Sequence, residues 1–328
     1  MLYHNIPTNL IIGFLGVGKT TAIRHLLSQV PDGERWGVLV NEFGEIGIDG
    51  ALLEADDILV QEVPGGCLCC VASAGLQIGL NRLIKEHNPD RILIEPTGLG
   101  HPAQIIDQLL NEPFRQVLSL GATIGLVDAR QLSDPRYREH PTYQDQIYLA
   151  DVLVASKSDL YNEKDQQAFE QLARTLEPPK QHLAMITQGK LQKAWLDFPL
   201  SDQRKALFPE AHKFIQKTHS HEHEHSHEHP PQSDWLKIEN SSDGYHSCGW
   251  LINKERVFNA KRILKLLKQF KLDRIKGTIC TDDGWLALNI TASEEDIREI
   301  KEMNSNRLEI IHSKALDWQA IDHALLKT

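Results

Sequence analysis

The sequence lacks any apolar stretch approaching the roughly 20 residues that a membrane-spanning helix needs. Residues 1–9 show neither a basic segment nor a hydrophobic segment with a cleavage site, so a secretory signal is not expected. The 35 lysines and arginines are outnumbered by 45 acidic residues and form no basic run. These absences argue against membrane and nucleic-acid partners and predict a cytoplasmic protein.

Cysteines are few, and their spacing is poor for a disulfide framework. There are five, and three of them, Cys67, Cys69 and Cys70, fall within four consecutive residues. In a reducing compartment, thiolates that bind a metal are the better interpretation. The other two, Cys248 and Cys280, are expected to be ordinary core positions on strands.

The chain is nevertheless long, with 328 residues of which 41% are hydrophobic and 24% charged, enough for two domains with buried cores. Between Thr8 and about Thr187, short β-rich runs alternate with amphipathic stretches, a pattern typical of a mainly parallel α/β sheet. The predicted strands are 10–14, 36–40, 58–63, 91–95, 123–128, 152–156 and 183–187, and the clearest helices are 19–30 and 164–176.

A linker and a second domain are predicted to follow. Residues 218–233 alternate histidine with glutamate or serine and include two prolines, a composition that cannot build a core. Beyond Trp235 an α+β pattern resumes, with strands predicted at 245–252, 273–280, 285–290 and 308–312 and helices at 257–270 and 316–326. The predicted domains are an α/β domain over 1–205, a histidine-rich linker over 206–233 and a smaller α+β domain over 234–328.

The strongest motif runs from Gly13 to Thr20 and fits G-x-x-x-x-G-K-[ST] between a predicted strand and a predicted helix. Glycines let the backbone wrap phosphates, helped by the helix N-terminus, whereas a plain glycine-rich turn is the alternative. Lys19 is predicted to contact the β- and γ-phosphates, and Thr20 to bind Mg²⁺. The motif therefore predicts a P-loop NTPase domain, with nucleotide-binding residues Gly13, Gly16, Val17, Gly18, Lys19, Thr20 and Thr21.

A second motif, Glu95-Pro96-Thr97-Gly98, follows the apolar run 92–94. A P-loop fold places an acidic residue near Mg²⁺ at this point, and a glycine whose N–H meets the γ-phosphate. We therefore predict Glu95 as a magnesium ligand that acts with Lys19 and Thr20 in catalysis, and Gly98 as a nucleotide contact. Without the P-loop, a strand end or helix cap would explain the segment equally well. His101 is expected to be structural.

Base recognition is predicted at Ser156-Lys157-Ser158-Asp159, which resembles the N-K-x-D guanine motif of GTPases. The Asp159 carboxylate can accept both N1–H and N2–H of guanine, and adenine offers neither at that edge. Lys157 completes the predicted base contacts. Ser156 replaces the usual asparagine, which braces the loop, so an ATP-using enzyme and a plain helix cap stay open as alternatives.

Two segments are predicted to bind a soft or borderline metal. Three thiolates within one turn, from Cys67, Cys69 and Cys70, can converge on Zn²⁺ or Cu(I) and leave a tetrahedral position open, although buried structural cysteines are the alternative. The linker adds a histidine at every second residue, which predicts auxiliary zinc capture or, alternatively, a solvated spacer. These histidines are His219, His221, His223, His225, His227 and His229.

Together these motifs resemble the CobW-like metal-trafficking GTPases, and within them the zinc-associated YeiR type. The resemblance spans nearly the whole chain and includes the switch-like segment 41–45, the C-x-C-C motif and the domain after the linker. It implies GTP-dependent zinc delivery. Some members are thought to use an acidic residue as a metal ligand where this chain has Val40, so the fourth zinc ligand stays open.

The predicted function is therefore a two-domain metallochaperone that binds Mg²⁺ and Zn²⁺, hydrolyses GTP to GDP and phosphate, and transfers zinc to an unknown client protein. A homo-oligomer that depends on metal or nucleotide is a possible form. Two alternatives stay open: a zinc buffer or sensor in which hydrolysis is incidental, and an ATP-using P-loop enzyme.

Overall fold

The computed structural model describes residues 5–41, 59–63, 72–99, 102–208, 234–242, 244–270, 272–291 and 294–328. The described residues up to 208 form one compact unit, and those from 234 onward form another. Within the described ranges, no helix is long and apolar enough to cross a membrane.

The first unit is built on a parallel sheet of eight strands in the order β3-β2-β4-β1-β6-β7-β8, with β5 paired to the start of β1. Strand β1 is central: its first half pairs with β4 and β5, and its last residues pair with β6. The strands are β1 Ile6–Gly13, β2 Trp36–Asn41, β3 Leu59–Val63, β4 Arg91–Glu95, β5 Leu118–Leu120, β6 Ile124–Asp128, β7 Val152–Ser156 and β8 His182–Met185.

Helices connect these strands, as parallel pairing requires. They are α1 Lys19–Leu27, α2 Ala72–His87, α3 Pro102–Leu110, α4 Pro135–Arg138, α5 Pro141–Leu149 and α6 Glu163–Thr175. The central strands are apolar and almost fully buried, with Leu10, Ile11, Leu93 and Val154 each 0% exposed. Such strands have no solvent face, which is why they appear in the sequence as continuous apolar runs rather than as alternating patterns.

The second unit is an antiparallel sheet of six strands in the order β13-β12-β11-β14-β10-β9, with two helices. Its elements are β9 Trp235–Ser242, β10 Tyr245–Asn253, α7 Ala260–Gln269, β11 Arg274–Thr281, β12 Gly284–Thr291, β13 Glu295–Glu299, β14 Ser305–His312 and α8 Trp318–Leu325. Alternate strand residues join α7 and α8 in one apolar core around Trp250. The indole N–H groups of Trp235 and Trp250 both donate to Asp322 Oδ1, at 2.9 and 2.7 Å.

The predicted fold class is confirmed: a mainly parallel α/β sheet is followed by a smaller α+β unit. Several predicted limits are wrong. The first helix ends at Leu27 rather than 30, where the Ser28 hydroxyl bonds back to the His25 carbonyl at 2.7 Å. Strand β8 ends at Met185, and the chain turns shortly afterwards at Gln188 and Gly189, which both have positive φ.

Two predictions in the second unit need correction. Cys248 is buried in the core as expected, but Cys280 is only half-buried, because it lies on the sheet face opposite that core. Strands β9 and β13 were not predicted. The sequence of β13, Glu-Asp-Ile-Arg-Glu, is charged because it is an edge strand, and charge protects an exposed edge from pairing with other chains.

Candidate functional site

The predicted phosphate loop lies between the end of β1 and the start of α1. Gly13, Gly16 and Gly18 have φ of 149°, 76° and 93°, a region that other residues rarely adopt. A Cβ on Gly13 would lie only 2.5 Å from the Leu126 carbonyl oxygen on β6. Backbone conformation and close packing therefore both demand glycine where the strand opens into the loop.

Lys19, the first residue of α1, is held inside this loop. Its side chain is 6% exposed, and Nζ donates to the carbonyl oxygens of Gly13 at 2.9 Å and Phe14 at 3.3 Å. The ammonium group is thus kept over the loop that would cradle phosphates, a position from which a point charge can act on them.

Thr20 and Glu95 meet across the ends of neighbouring strands. Because β1 and β4 are parallel and adjacent, the residues that follow β1 lie near the carboxyl end of β4. The Thr20 hydroxyl donates to Glu95 Oε1 at 3.2 Å, and Glu95 is 3% exposed. A hydroxyl and a carboxylate side by side are the hard oxygen ligands that Mg²⁺ prefers.

Asp128 is a second acidic residue at this edge of the sheet, at the end of β6. Its two carboxylate oxygens accept from Arg130 Nε at 2.9 Å and Nη2 at 2.6 Å. Both oxygens of the Asp128 carboxylate are therefore already paired with the Arg130 guanidinium. Glu95, beside Thr20, is therefore the better magnesium candidate.

Gly98 lies directly against the phosphate loop. A Cβ at this position would be 2.9 Å from the Leu15 nitrogen and 3.0 Å from the Phe14 carbonyl carbon. Those neighbours are backbone atoms that cannot give way cheaply. The predicted γ-phosphate contact is thus packed against the loop that would hold the same phosphate group.

Aromatic rings enclose the second residue of the loop, a feature that the sequence interpretation missed. Phe14 is 1% exposed, and its ring centroid lies 5.7 Å from Tyr137, 4.9 Å from His140 and 5.6 Å from Tyr143. Burial raises the pKa of Tyr143, so this ring stays neutral. Helices α4 and α5 therefore support the phosphate loop from the side, although these aromatic residues carry no motif that could have been recognised.

Ser156, at the end of β7, braces the loop from the other side. The side chain is 2% exposed, and its hydroxyl lies 2.7 Å from the Val17 carbonyl oxygen and 3.3 Å from that of Val127. The Tyr161 hydroxyl donates to the Ser156 carbonyl and accepts from the Ala129 N–H at 2.9 Å. Serine at this position thus supplies a bond to the phosphate loop, so the missing asparagine does not leave the loop unbraced.

The predicted base-binding residues are more open than the phosphate end. Lys157 has φ of 58°, and Asp159 is exposed in the 3₁₀ turn that follows. Thr21 is exposed on α1, and Gly189, φ 71°, lies close to the backbone of Thr21 and Ala22. The structure therefore brings the P-loop, Glu95 and Gly98 together and joins them to the S-K-S-D segment through Ser156.

The predicted zinc ligands lie outside the described residues. This holds for Cys67, Cys69 and Cys70 and for the six linker histidines. His101, which is expected to be structural, and the switch-like residues 42–45 also lie outside the described residues. Across the part of the chain that the structure describes, no group of three or more histidine, cysteine or acidic side chains could hold a metal ion.

Comparison with known protein structures gives weak overall similarity. The crystal structure of Zn(II)-bound YjiA GTPase from E. coli is 20% identical, with a TM-score of 0.43 and coverage of 99% of both chains. That of HypB from Helicobacter pylori in complex with nickel is 17% identical, with a TM-score of 0.41, and covers 66% of this chain and 92% of that one.

Comparison of the sequence with known proteins finds higher identity than the comparison of structures does. Over 326 residues the chain is 39% identical to the zinc chaperone YeiR of Escherichia coli K12, covering 98% of this chain and 97% of that protein. It is 34% identical over 175 residues to the E. coli zinc chaperone YjiA, covering 52% and 54% respectively. The model of the CobW/HypB/UreG nucleotide-binding domain matches residues 7–184. The chain therefore belongs to the CobW/HypB/UreG family.

Proposed function

We propose that this protein is a GTPase metallochaperone that couples binding and hydrolysis of Mg²⁺-GTP to zinc transfer in the cytoplasm. The observation that carries the nucleotide part is the cluster of Lys19, Thr20, Glu95 and Gly98 around one loop, in which Lys19 and Glu95 are buried. The 39% identity to a zinc chaperone over nearly the whole chain supports the metal part. We propose that residues 1–205 form the GTPase domain, residues 206–233 the histidine-rich linker and residues 234–328 the smaller α+β domain.

The residues present fit a magnesium ion. The Thr20 hydroxyl, on the first turn of α1, and the Glu95 carboxylate, at the end of β4, lie 3.2 Å apart and would hold it. When bound, the ion supplies positive charge against the phosphate oxygens. Lys19 adds a second charge, and the glycine-rich backbone of the loop adds main-chain N–H donors.

Guanine is the proposed base because Asp159 offers a carboxylate that accepts two hydrogen bonds. The exposure of Asp159 is consistent with a ligand-facing role, and Ser156 and Tyr161 hold the backbone before it. Adenine cannot satisfy an acceptor-only group at the same edge.

Zinc is the proposed cargo, bound by Cys67, Cys69 and Cys70 and captured by the histidines of the linker. Three thiolates so close in sequence suit a borderline metal in a reducing compartment. The cysteine loop lies in sequence between residues 43–50 and residues 98–101, two segments expected to respond to the γ-phosphate. Nucleotide state could thereby change zinc affinity, which distinguishes a chaperone from a passive binder.

Turnover measurements test the proposal against its alternatives. Purified protein should release phosphate from GTP faster than from ATP, and zinc should change the GTP rate. Preference for ATP would favour the ATP-using enzyme. Slow hydrolysis that zinc leaves unchanged would favour the buffer or sensor.

The base assignment has its own test, Asp159→Asn. An amide can donate to the oxygen that replaces guanine's exocyclic amine in xanthine, so the variant should bind xanthosine triphosphate better and GTP worse. Competition binding measures both. An unchanged base preference would exclude this segment as the base reader.

Zinc titrations test the coupling. Zinc affinity should differ between the GDP form and the form with a non-hydrolysable GTP analogue by roughly 5- to 150-fold, the usual range of allosteric coupling. The double variant Cys69→Ser, Cys70→Ser should remove that difference while sparing nucleotide binding. Replacing the six linker histidines with serine should lower the number of zinc ions bound and leave metal-free turnover intact. Equal zinc affinities in both forms would contradict transfer.

A further inference from the structure

Gln146, on α5, makes a buried contact with the predicted γ-phosphate segment. Its side-chain nitrogen Nε2 donates to the Gly98 carbonyl oxygen at 2.9 Å, and the residue is 4% exposed. The two residues are 48 positions apart in the sequence. Gln146 belongs to no nucleotide-binding motif, and the contact appears only when the chain is folded.

Helix α5 is anchored well enough to serve as a fixed support. A Cβ on Gly125 of β6 would lie 2.5 Å from the Ala150 Cβ, so the end of the helix packs tightly on the sheet. Lys180 Nζ donates to three carbonyl oxygens at that end, those of Ile147, Tyr148 and Ala150, at 2.6 to 2.8 Å. The helix that carries the Gln146 side chain is therefore fixed to the central sheet.

The same helix also holds the phosphate loop. Tyr143, one turn before Gln146, packs edge-on against Phe14 at 5.6 Å. Gly98 in turn lies so close to the backbone of Leu15 and Phe14 that a Cβ would meet both within 3.0 Å. One rigid helix thus contacts both backbone segments expected to surround the γ-phosphate.

We propose that Gln146 is a positioning residue that holds the backbone at Gly98 for γ-phosphate binding and so sets the preference for nucleoside triphosphate over diphosphate. The bond to the Gly98 carbonyl restricts rotation of the backbone at Gly98, whose N–H is the expected γ-phosphate donor. A pre-oriented donor binds its ligand without an ordering cost. The inference rests on the proposed function.

The test compares Gln146→Met with the matched variant Gln144→Met. Methionine has nearly the length of glutamine but cannot donate, so the buried Gly98 carbonyl loses its partner. Gln144 lies on the same helix, but its amide donates to the exposed Arg138 carbonyl at 2.7 Å. The full-length protein is titrated at equilibrium with GDP and with a non-hydrolysable GTP analogue.

Gln146→Met should weaken binding of the analogue roughly tenfold, because the Gly98 backbone, no longer held in place, must then be ordered when the nucleotide binds. Its GDP affinity should change less than about twofold, since GDP has no γ-phosphate. Gln144→Met should change neither. Equal losses for both nucleotides, or no loss, would overturn the inference, because a purely structural contact does not distinguish them.

A second variant keeps the inference testable if Gln146→Met does not fold. Gln146→Asn keeps the amide but is one methylene shorter, so it should fold, as a melting curve would show, and still lose affinity for the analogue selectively. Normal discrimination in a folded Gln146→Asn protein would contradict the inference. Wild-type protein that binds neither nucleotide would overturn the proposed function itself, an outcome separate from unchanged discrimination in the variants.

Discussion

Each unit of the protein buries a lysine, but the two lysines have different surroundings. Lys19 of the first unit is 6% exposed and donates to two main-chain carbonyls in a loop at the end of a strand. Lys276 of the second unit is 3% exposed and stands mid-strand, directly opposite Glu309 on the neighbouring antiparallel strand.

The difference indicates what each charge does. Carbonyl dipoles around Lys19 position a cation and leave its charge available to an anionic ligand. Lys276 instead acts on an ionisable neighbour. Burial raises the pKa of Glu309 from its usual 4.5 to about 8, while Lys276 and Arg274 act in the opposite direction. The first lysine should therefore control nucleotide chemistry, and the second should control how stability depends on pH.

The largest effect is expected for Lys19→Ala. The variant removes the charge that we propose acts on the β- and γ-phosphates, so nucleotide turnover should fall roughly a hundredfold or more. Steady-state phosphate release measures the loss, and Lys164→Ala, an exposed lysine at the start of α6, is the control. Unchanged turnover in the Lys19 variant would show that Lys19 does not act on the nucleotide and would exclude the P-loop assignment.

The phosphate end of this site could be predicted from the sequence because its chemistry imposes a local pattern. Glycines, a lysine and a hydroxyl must follow one another within eight residues, and Glu95 comes directly after the apolar run 92–94. These residues form one structural cluster because β1, which leads into the loop and α1, is parallel and adjacent to β4, which ends at Glu95. The parallel sheet could be predicted for a similar reason, since its buried strands are continuous apolar runs.

The supporting contacts could not be predicted, because they join distant positions without fixed spacing. Phe14 meets Tyr143 and Gln146 meets Gly98 only after β6 and α5 have folded against β1. For Ser156, the sequence identifies the residue but not its contact. Its position was recognised, but that its hydroxyl reaches the Val17 carbonyl is a three-dimensional fact.

The second expected effect is the pH dependence of stability set by Glu309. Its pKa is raised in the folded state, so between about pH 4.5 and 8 the native protein binds more protons than the unfolded chain. The stabilisation is complete below pH 4.5 and is lost as pH rises through about 8. Glu309→Gln mimics the protonated form and should melt higher than wild type at pH 8, with a flatter pH profile.

Melting curves at several pH values measure this difference, and Glu299→Gln, an exposed glutamate on β13, is the control. Because other titrating groups are common to both proteins, the quantity to compare is the difference between variant and wild type at each pH. Parallel profiles for the two would show that Glu309 does not titrate in this range.

A smaller effect is expected for Lys276→Met, which sharpens the contrast between the two lysines. Lys276 lowers the pKa of Glu309, so its removal should raise that pKa further and move the loss of stability to higher pH. Turnover per folded molecule should stay at the wild-type value. Lys265→Met, an exposed lysine on α7, serves as the control. A pH profile that does not move would show that the two side chains do not interact.

The smallest effect is expected for Ser156→Ala, which removes the brace between β7 and the phosphate loop. The buried Val17 carbonyl, 2.7 Å from the hydroxyl, loses its donor, which should lower the free energy of unfolding by roughly 1 to 2 kcal/mol. Because this bond holds the loop backbone rather than a ligand, affinities for GDP and for a GTP analogue should fall together. That pattern separates Ser156 from Gln146, whose loss should affect the triphosphate form alone. Denaturant unfolding and nucleotide titration measure the two quantities, with the exposed Ser119→Ala as the control. A selective loss of the analogue would mean that Ser156 also orients the γ-phosphate contact, and full stability would show that water replaces the hydroxyl.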